Sequence, residues 1–259
     1  MTSELAMAKS VAAEAGQLLV SIRQAAGDIP SDDKAALKAL RDRADAESNE
    51  LITARLTLAG GDALLSEEGV DDENRLAAQR VWIVDPLDGT WEYGQGRTDF
   101  GVHIALWDMA RKRMLLGVVD LPAQGVVRTS GDLDPELPML PADRPLRIVA
   151  SRTRPPADLA AICERLAQRV GQDVEVVNVG SVGAKVNEIL SGRAEAYLHD
   201  TGFYEWDLAA PLAVAKHYGL VCDHWDGDEV DFNLMPPFVK NVFVSHPGIA
   251  DDLRASLAG

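Results

Sequence analysis

Leu5, Ala8, Ala12, Ala15, Leu19 and Ile22 recur at steps of three and four residues, the spacing that lines one face of an α-helix. Leu37, Leu40, Leu51, Arg55 and Leu56 keep a similar rhythm and predict a second helix over about 34–58. The period then shortens. Apolar runs at 63–66, 81–84, 102–107, 115–121 and 126–129 predict strands, so two helices precede a run of strands, an α+β order. Gly131, Pro135, Pro138, Pro141 and Pro145 crowd together with Asp132, Asp134 and Asp143, which predicts a linker and divides the chain into 1–140 and 141–259. Beyond it the pattern alternates: strand 146–150, helix 156–170, strand 174–177, helix 181–191, strand 194–199 and helix 206–218. Strands near 220–224 and 241–245 and a helix from about 248 complete a pattern that predicts a layered α/β unit.

Composition narrows the class. The 259 residues are 47% hydrophobic and 25% charged, as in soluble globular proteins, and suffice for a large core. The net charge of −16 disfavours nucleic-acid polymers, and no run of Lys or Arg offers an exception. Cys163 and Cys222 form no metal-binding or disulfide pattern. No stretch of 18 apolar residues predicts a membrane span, and Glu4 and Lys9 break any signal-like run, so the expected location is the cytoplasm.

The acidic balance takes on meaning at Val81-Trp82-Ile83-Val84-Asp85-Pro86-Leu87-Asp88-Gly89-Thr90. Four apolar residues predict a buried strand that ends at Asp85, with Pro86 stopping the ladder. Gly89 permits a tight turn, and Thr90 is placed to cap a following helix whose N–H groups face an anion. Taken alone, this could be an Asp-Pro turn followed by an Asp-Gly turn. On a buried strand, two carboxylates three residues apart suit a metal-held phosphate, and hard oxygen ligands favour Mg²⁺. The dehalogenase-type phosphatase signature, Asp-x-Asp-Gly-Thr near an N-terminus, has a different register and is excluded.

Asp45, Glu67-Glu68, Asp85–Thr90, Gly180-Ser181 with Lys185, and Trp206-Asp207 occur in the order found in the inositol monophosphatase superfamily, which the chain resembles over most of its length. The resemblance implies a layered αβαβα sandwich that often forms homodimers. It also implies two to three Mg²⁺ ions and inhibition by Li⁺. By the same resemblance Glu67, Asp85 and the Leu87 carbonyl bind one metal, while Asp85, Asp88 and Asp207 bind a second. Asp45 and Thr90 orient and deprotonate the attacking water, with Asp42 as the alternative to Asp45. Asp207 could otherwise serve only as a helix cap.

The superfamily includes inositol phosphatases, fructose-1,6-bisphosphatases and 3'(2'),5'-bisphosphate nucleotidases. Glu92, Ser66-Glu67-Glu68 and the Asp-Pro-Leu-Asp form are like the nucleotidase branch, whereas Trp91 departs from its usual Lys or Arg. The expected substrate is therefore a small phosphorylated metabolite, foremost 3'-phosphoadenosine 5'-phosphate, held by Asp88, Gly89, Thr90, Glu92, Arg152, Ser181 and Lys185. Arg152 and Lys185 are the expected cations for the second phosphate, although Arg152-Thr153-Arg154 reads equally as a solvated loop. Inositol or fructose phosphates are the alternative substrates, and a silent metal-binding protein is the reading from a different class.

Overall fold

Alternate residues of the first sheet's strands point into two different cores, and that alternation sets the layers of the molecule. The computed structural model describes residues 2–57 and 61–257. Helices α1 (Ser3–Ala26) and α2 (Lys34–Thr57) pack along one face of a sheet formed by β1 (Ala63–Ser66), β2 (Arg80–Asp88), β3 (Gly101–Asp108), β4 (Arg113–Leu121) and β5 (Val126–Thr129). Residue 58, the expected end of the second helix, lies outside the described residues. The short helix α3 (Thr90–Gly94) follows β2 directly. Only the β1–β2 pair is parallel; the remaining pairs of this sheet are antiparallel.

Trp82, Val84, Ile104, Leu106, Leu116 and Val118 face α1 and α2, where they meet Leu5, Ala12, Leu19, Ala44 and Ile52. Their neighbours Val81, Ile83, Ala105, Trp107 and Val119 face the opposite way, toward the middle helices. Period-two burial on both faces explains why these strands read as nearly continuous apolar runs.

Residues 130–145 carry neither helix nor strand and lead into the second sheet. That sheet contains β6 (Leu146–Ser151), β7 (Val174–Val179), β8 (Ala196–His199), β10 (Val221–Asp223) and β12 (Val242–Ser245), in the order β10-β12-β8-β6-β7. Helices α4 (Leu159–Val170) and α7 (Ala250–Leu257) cover its outer face through Ile162, Leu166 and Leu253. Helices α5 (Val182–Leu190) and α6 (Glu205–His217) lie between the two sheets, sharing one core with residues of both. The result is an αβαβα sandwich, as expected. A two-strand pair, β9 (Phe203–Tyr204) with β11 (Phe238–Val239), was too short to give a sequence period.

Helix α1 is long and apolar enough by length and composition to cross a membrane. Its apolar stripe is instead buried against α2 and the first sheet.

Two local expectations are corrected. Strand β2 does not stop at Asp85 but runs through Pro86 to Asp88. Its ladder with β3 passes from Asp85↔His103 to Asp88↔Gly101, so three steps on one strand oppose two on the other. Pro86 is tolerated because this bulge interrupts the ladder where its missing N–H would have been needed. Thr90 is not the cap of α3: Gly89 holds that position in the left-handed region, at φ 86° and ψ 39°. A Cβ there would lie 3.1 Å from the Asp99 carbonyl oxygen, so glycine answers both the backbone conformation and the close approach.

Candidate active site

The bulge in β2 places Asp85 and Asp88 at the floor of a cleft of about 200 Å³ between the two sheets' ends. Glu67 enters from the loop after β1, and Asp207 from the first turn of α6. The cleft is also lined by Leu87, Gly89, Thr90, Trp91, Glu92, Arg154, Lys185, His199 and Phe203. A larger cleft of about 460 Å³ lies beside α1 and α2, and another of about 360 Å³ beside β4 and α6. Each of those presents a single carboxylate, Asp28 or Glu229, and lacks the convergence seen here.

The carboxylates are held by fixed partners. Asp85 is buried, and its Oδ1 accepts the Leu87 N–H at 3.0 Å while its Oδ2 has no partner. The Val182 N–H, in the first turn of α5, donates to Asp88 Oδ2 at 2.5 Å. Asp207 Oδ2 accepts the Tyr204 N–H at 2.9 Å, so this residue completes a capping box on α6 while still lining the cleft. The two readings of Asp207 are therefore compatible. Thr90 Oγ1 donates to the Leu87 carbonyl at 3.1 Å.

Crowded negative charge shows in the acidities. Burial raises the Asp85 carboxyl well above its ordinary range, and the charges of Glu67, Asp88 and Asp207 add to the effect. Burial, with Asp88 and Glu67, raises Asp207 to about 8; Arg154 pulls weakly the other way. Glu67 is exposed as a residue, but its carboxyl is withdrawn from water and lies near Asp88 and Glu68, which lifts it to about 7. Asp45, half-buried on α2, is raised to about 7 by desolvation and by Glu68, Glu67 and Asp42. Asp42 points to solvent and pairs with Lys38 at 2.5 Å, so of the two it is Asp45 that faces the acidic cluster.

A partnerless buried carboxylate oxygen among several acids that resist joint ionisation is the pattern a hard cation relieves. Donor atoms of Asp85, Asp88 and His103 lie within 4.8 Å of one another. The residues present fit Mg²⁺: Glu67, Asp85, Asp88 and Asp207 offer carboxylate oxygens, and Leu87 a carbonyl.

The expected substrate residues are distributed less simply. Gly89, Thr90, Glu92 and Lys185 line the cleft, whereas Ser181 is buried as the cap of α5, accepting the Ala184 N–H at 3.2 Å. Arg152 is not a free cation. Its guanidinium is committed to Glu92 at 2.6 Å, Asp99 at 2.9 Å and the Asn178 carbonyl at 3.1 Å, and it does not line the cleft. Glu92 is thereby occupied as well. Lys185 is buried, donates to the Gly180 carbonyl and sits 5.2 Å from the Tyr197 ring centre. Desolvation lowers it to about 8, against the upward pull of Asp88, Glu92 and Asp207.

Sequence reasoning passed over Asp99, which ties the site together. Its carboxylate accepts the Gly180 N–H at 2.9 Å and pairs with Arg97 and Arg152, and its carbonyl accepts the Ser181 N–H. No periodicity marks it; only its place just before β3 hinted at a junction. His199 is buried, contacts Thr201 Oγ1 at 2.8 Å and also lines the cleft. Arg154, grouped with Arg152 by sequence, is the residue of that pair which reaches the cleft.

Known proteins resemble the chain as a whole. A model of the inositol monophosphatase family matches residues 1–258. A relative from Mycobacterium leprae, a 3'-phosphoadenosine 5'-phosphate phosphatase, is 39% identical across 96% of this chain and 91% of its own. A 3'(2'),5'-bisphosphate nucleotidase CysQ from Shigella flexneri is 31% identical across 72% of this chain and 76% of its own. The crystal structure of CysQ from Bacteroides thetaiotaomicron superposes with a TM-score of 0.73 at 26% identity, covering 94% of this chain and 97% of that one.

Proposed function

The chain belongs to the inositol monophosphatase family, and from that premise we propose that it is a Mg²⁺-dependent phosphoric monoester hydrolase acting as a 3'(2'),5'-bisphosphate nucleotidase. Its substrate in this reading is 3'-phosphoadenosine 5'-phosphate, which it converts to AMP and phosphate. The observation that carries the reading is the convergence of Glu67, Asp85, Asp88 and Asp207 in one cleft, in a chain whose relatives of like length bear that activity.

In this reading the 1–140 portion supplies Glu67, Asp85, Leu87 and Asp88, and the 141–259 portion completes the set with Asp207. Glu67, Asp85, Asp88, Asp207 and the Leu87 carbonyl would hold two to three Mg²⁺ ions, whose positive charge would supply neutralisation of phosphoryl oxygens, acidification of water and stabilisation of the leaving oxygen. The protein's own groups fix the geometry around that chemistry. The Val182 N–H orients Asp88, the Leu87 N–H orients Asp85, and the Tyr204 N–H orients Asp207. Asp45 takes the proton of the attacking water, and Thr90, held to the Leu87 carbonyl, orients that water. Competition by Li⁺, a homodimeric assembly, a cytoplasmic location and a role in clearing by-products of sulfate assimilation belong to the same proposal.

The test is phosphate release by purified protein with Mg²⁺, comparing kcat/KM for 3'-phosphoadenosine 5'-phosphate, inositol 1-phosphate and fructose 1,6-bisphosphate. The expected result is at least about a tenfold preference for the nucleotide, equal to about 1.4 kcal/mol in the transition state. Equal or faster turnover of the inositol or fructose phosphate would keep the hydrolase chemistry and remove the nucleotide assignment.

A further inference from the structure

Arg152 pins the loop after β6 to α3 through its 2.6 Å bond to Glu92, and the residues on either side of this buckle face the cleft. On α3 the neighbour of Glu92 is Trp91, an aromatic side chain 44% exposed at the cleft wall. On the loop, two residues beyond Arg152, is Arg154, which also lines the cleft. The Arg154 backbone N–H bonds Ser151 Oγ, which fixes the loop's turn. Its guanidinium has no hydrogen bond or ion pair among the described residues.

The other cations of the cleft differ. Lys185 is buried and bound to the Gly180 carbonyl, and Arg152 is neutralised by two carboxylates. An exposed, unpaired guanidinium in a cleft lined by acids keeps its planar fork for an anion that arrives with the ligand. An exposed indole in the same cleft offers a flat surface on which a nucleobase stacks.

We propose that Trp91 and Arg154 form the subsite for the part of the substrate that does not react, with Arg154 pairing a second phosphate and Trp91 stacking on a purine base. The inference rests on the nucleotidase reading of the cleft and adds the residues that make the choice of substrate. Arg152 and Glu92 are positioning residues in this scheme, holding the two recognition groups at a fixed separation.

The test compares kcat/KM for 3'-phosphoadenosine 5'-phosphate with that for 3'-AMP, which lacks the second phosphate, in wild type and Arg154→Gln. The wild-type ratio is expected to favour the bisphosphate, and the substitution to cut that ratio by about tenfold, as for loss of a charge-assisted pair. A fall of less than fivefold overturns the role of Arg154. Trp91→Ala is expected to lower kcat/KM for both nucleotides at least about fivefold relative to inositol 1-phosphate; a uniform change on all three substrates overturns the stacking role. Because both side chains are exposed, an unchanged thermal midpoint is the check on folding for each variant. A wild-type enzyme with no preference between the bisphosphate and 3'-AMP also overturns the role of Arg154, whereas one that turns over inositol 1-phosphate as fast as either nucleotide would count against the nucleotidase reading itself, so the two failures are distinguishable.

Discussion

Individual carboxyls in the cleft carry protons that ordinary carboxyls lack near neutral pH, and this has a measurable sign. Glu67 and Asp207 are lifted to about 7 and about 8 in the folded protein, from ordinary values of 4.5 and 3.8. Groups raised on folding stabilise the native state while they stay protonated and lose that contribution as pH rises through the folded value. The metal-free protein should therefore lose thermal stability between about pH 6.5 and 7.5, above the range where the buried His103 and His199, both lowered by desolvation, take up protons, and below the range where Lys185, lowered to about 8, acts with the opposite sign. A cation that binds the ionised cluster offsets the loss, so Mg²⁺ should raise the midpoint more at about pH 8.5 than at about pH 6.5. Thermal scans with and without Mg²⁺ check this; a midpoint rising with pH over that range in the metal-free protein, or equal Mg²⁺ increments, would contradict it. Asp85–Thr90 was legible because it follows an apolar strand, whereas Glu67 and Asp207 were legible only through their order along the chain relative to it. Arg154 was less so, since sequence spacing does not tell which of two nearby arginines meets an internal carboxylate.

At the scale of elements, the sequence revealed period and largely hid punctuation. The second helix, β1 and β5 follow directly from spacing, whereas β2 overruns its proline because the bulge belongs to a pairing that no local signal contains. The β9–β11 pair joins two-residue segments far apart in sequence, so only tertiary contact makes them strands. Helix α6 shows what such contact demands. It lies on β4 at Gly117, where an added Cβ would sit 2.6 Å from Ala213 Cβ and 2.8 Å from the Ala210 carbonyl oxygen. Gly117→Ala should therefore cost about 1–3 kcal/mol by overpacking. Because α6 carries Asp207 in its first turn, the same change should weaken Mg²⁺ binding. Urea unfolding and Mg²⁺ titration check both effects; a stability unchanged within about 0.5 kcal/mol would show that the helix can move away freely.

Across the whole molecule, the site depends on segments from both sheets meeting correctly, and a buried polar strut helps them do so. Arg75 lies in the single-turn helix Glu73–Ala77, soon after the loop that carries Glu67, and is 1% exposed. Its guanidinium bonds Asp71 at 2.6 and 2.9 Å, Asn233 Oδ1 at 2.6 Å and the Leu234 carbonyl at 2.8 Å. Glu205, two residues before Asp207 and fully buried, accepts the N–H groups of Asn233 and Leu234. The strut thus joins the surroundings of two proposed metal ligands. Arg75→Ala removes the cation while leaving Glu205 buried, and should cost about 3–5 kcal/mol in urea unfolding. Arg75→Lys keeps the charge without the fork and should recover part of that loss; a cost below about 1 kcal/mol for the alanine variant would deny the strut its role. None of this network was visible in the sequence, since its members lie up to 159 positions apart.

The central claim, water attack on the 3'-phosphate of a nucleoside bisphosphate, is met most directly by product analysis in ¹⁸O-labelled water. Incubation of 3'-phosphoadenosine 5'-phosphate with the protein and Mg²⁺ should give 5'-AMP and inorganic phosphate carrying the label. Formation of 3'-AMP, label in the nucleotide, or no Mg²⁺-dependent release would contradict it.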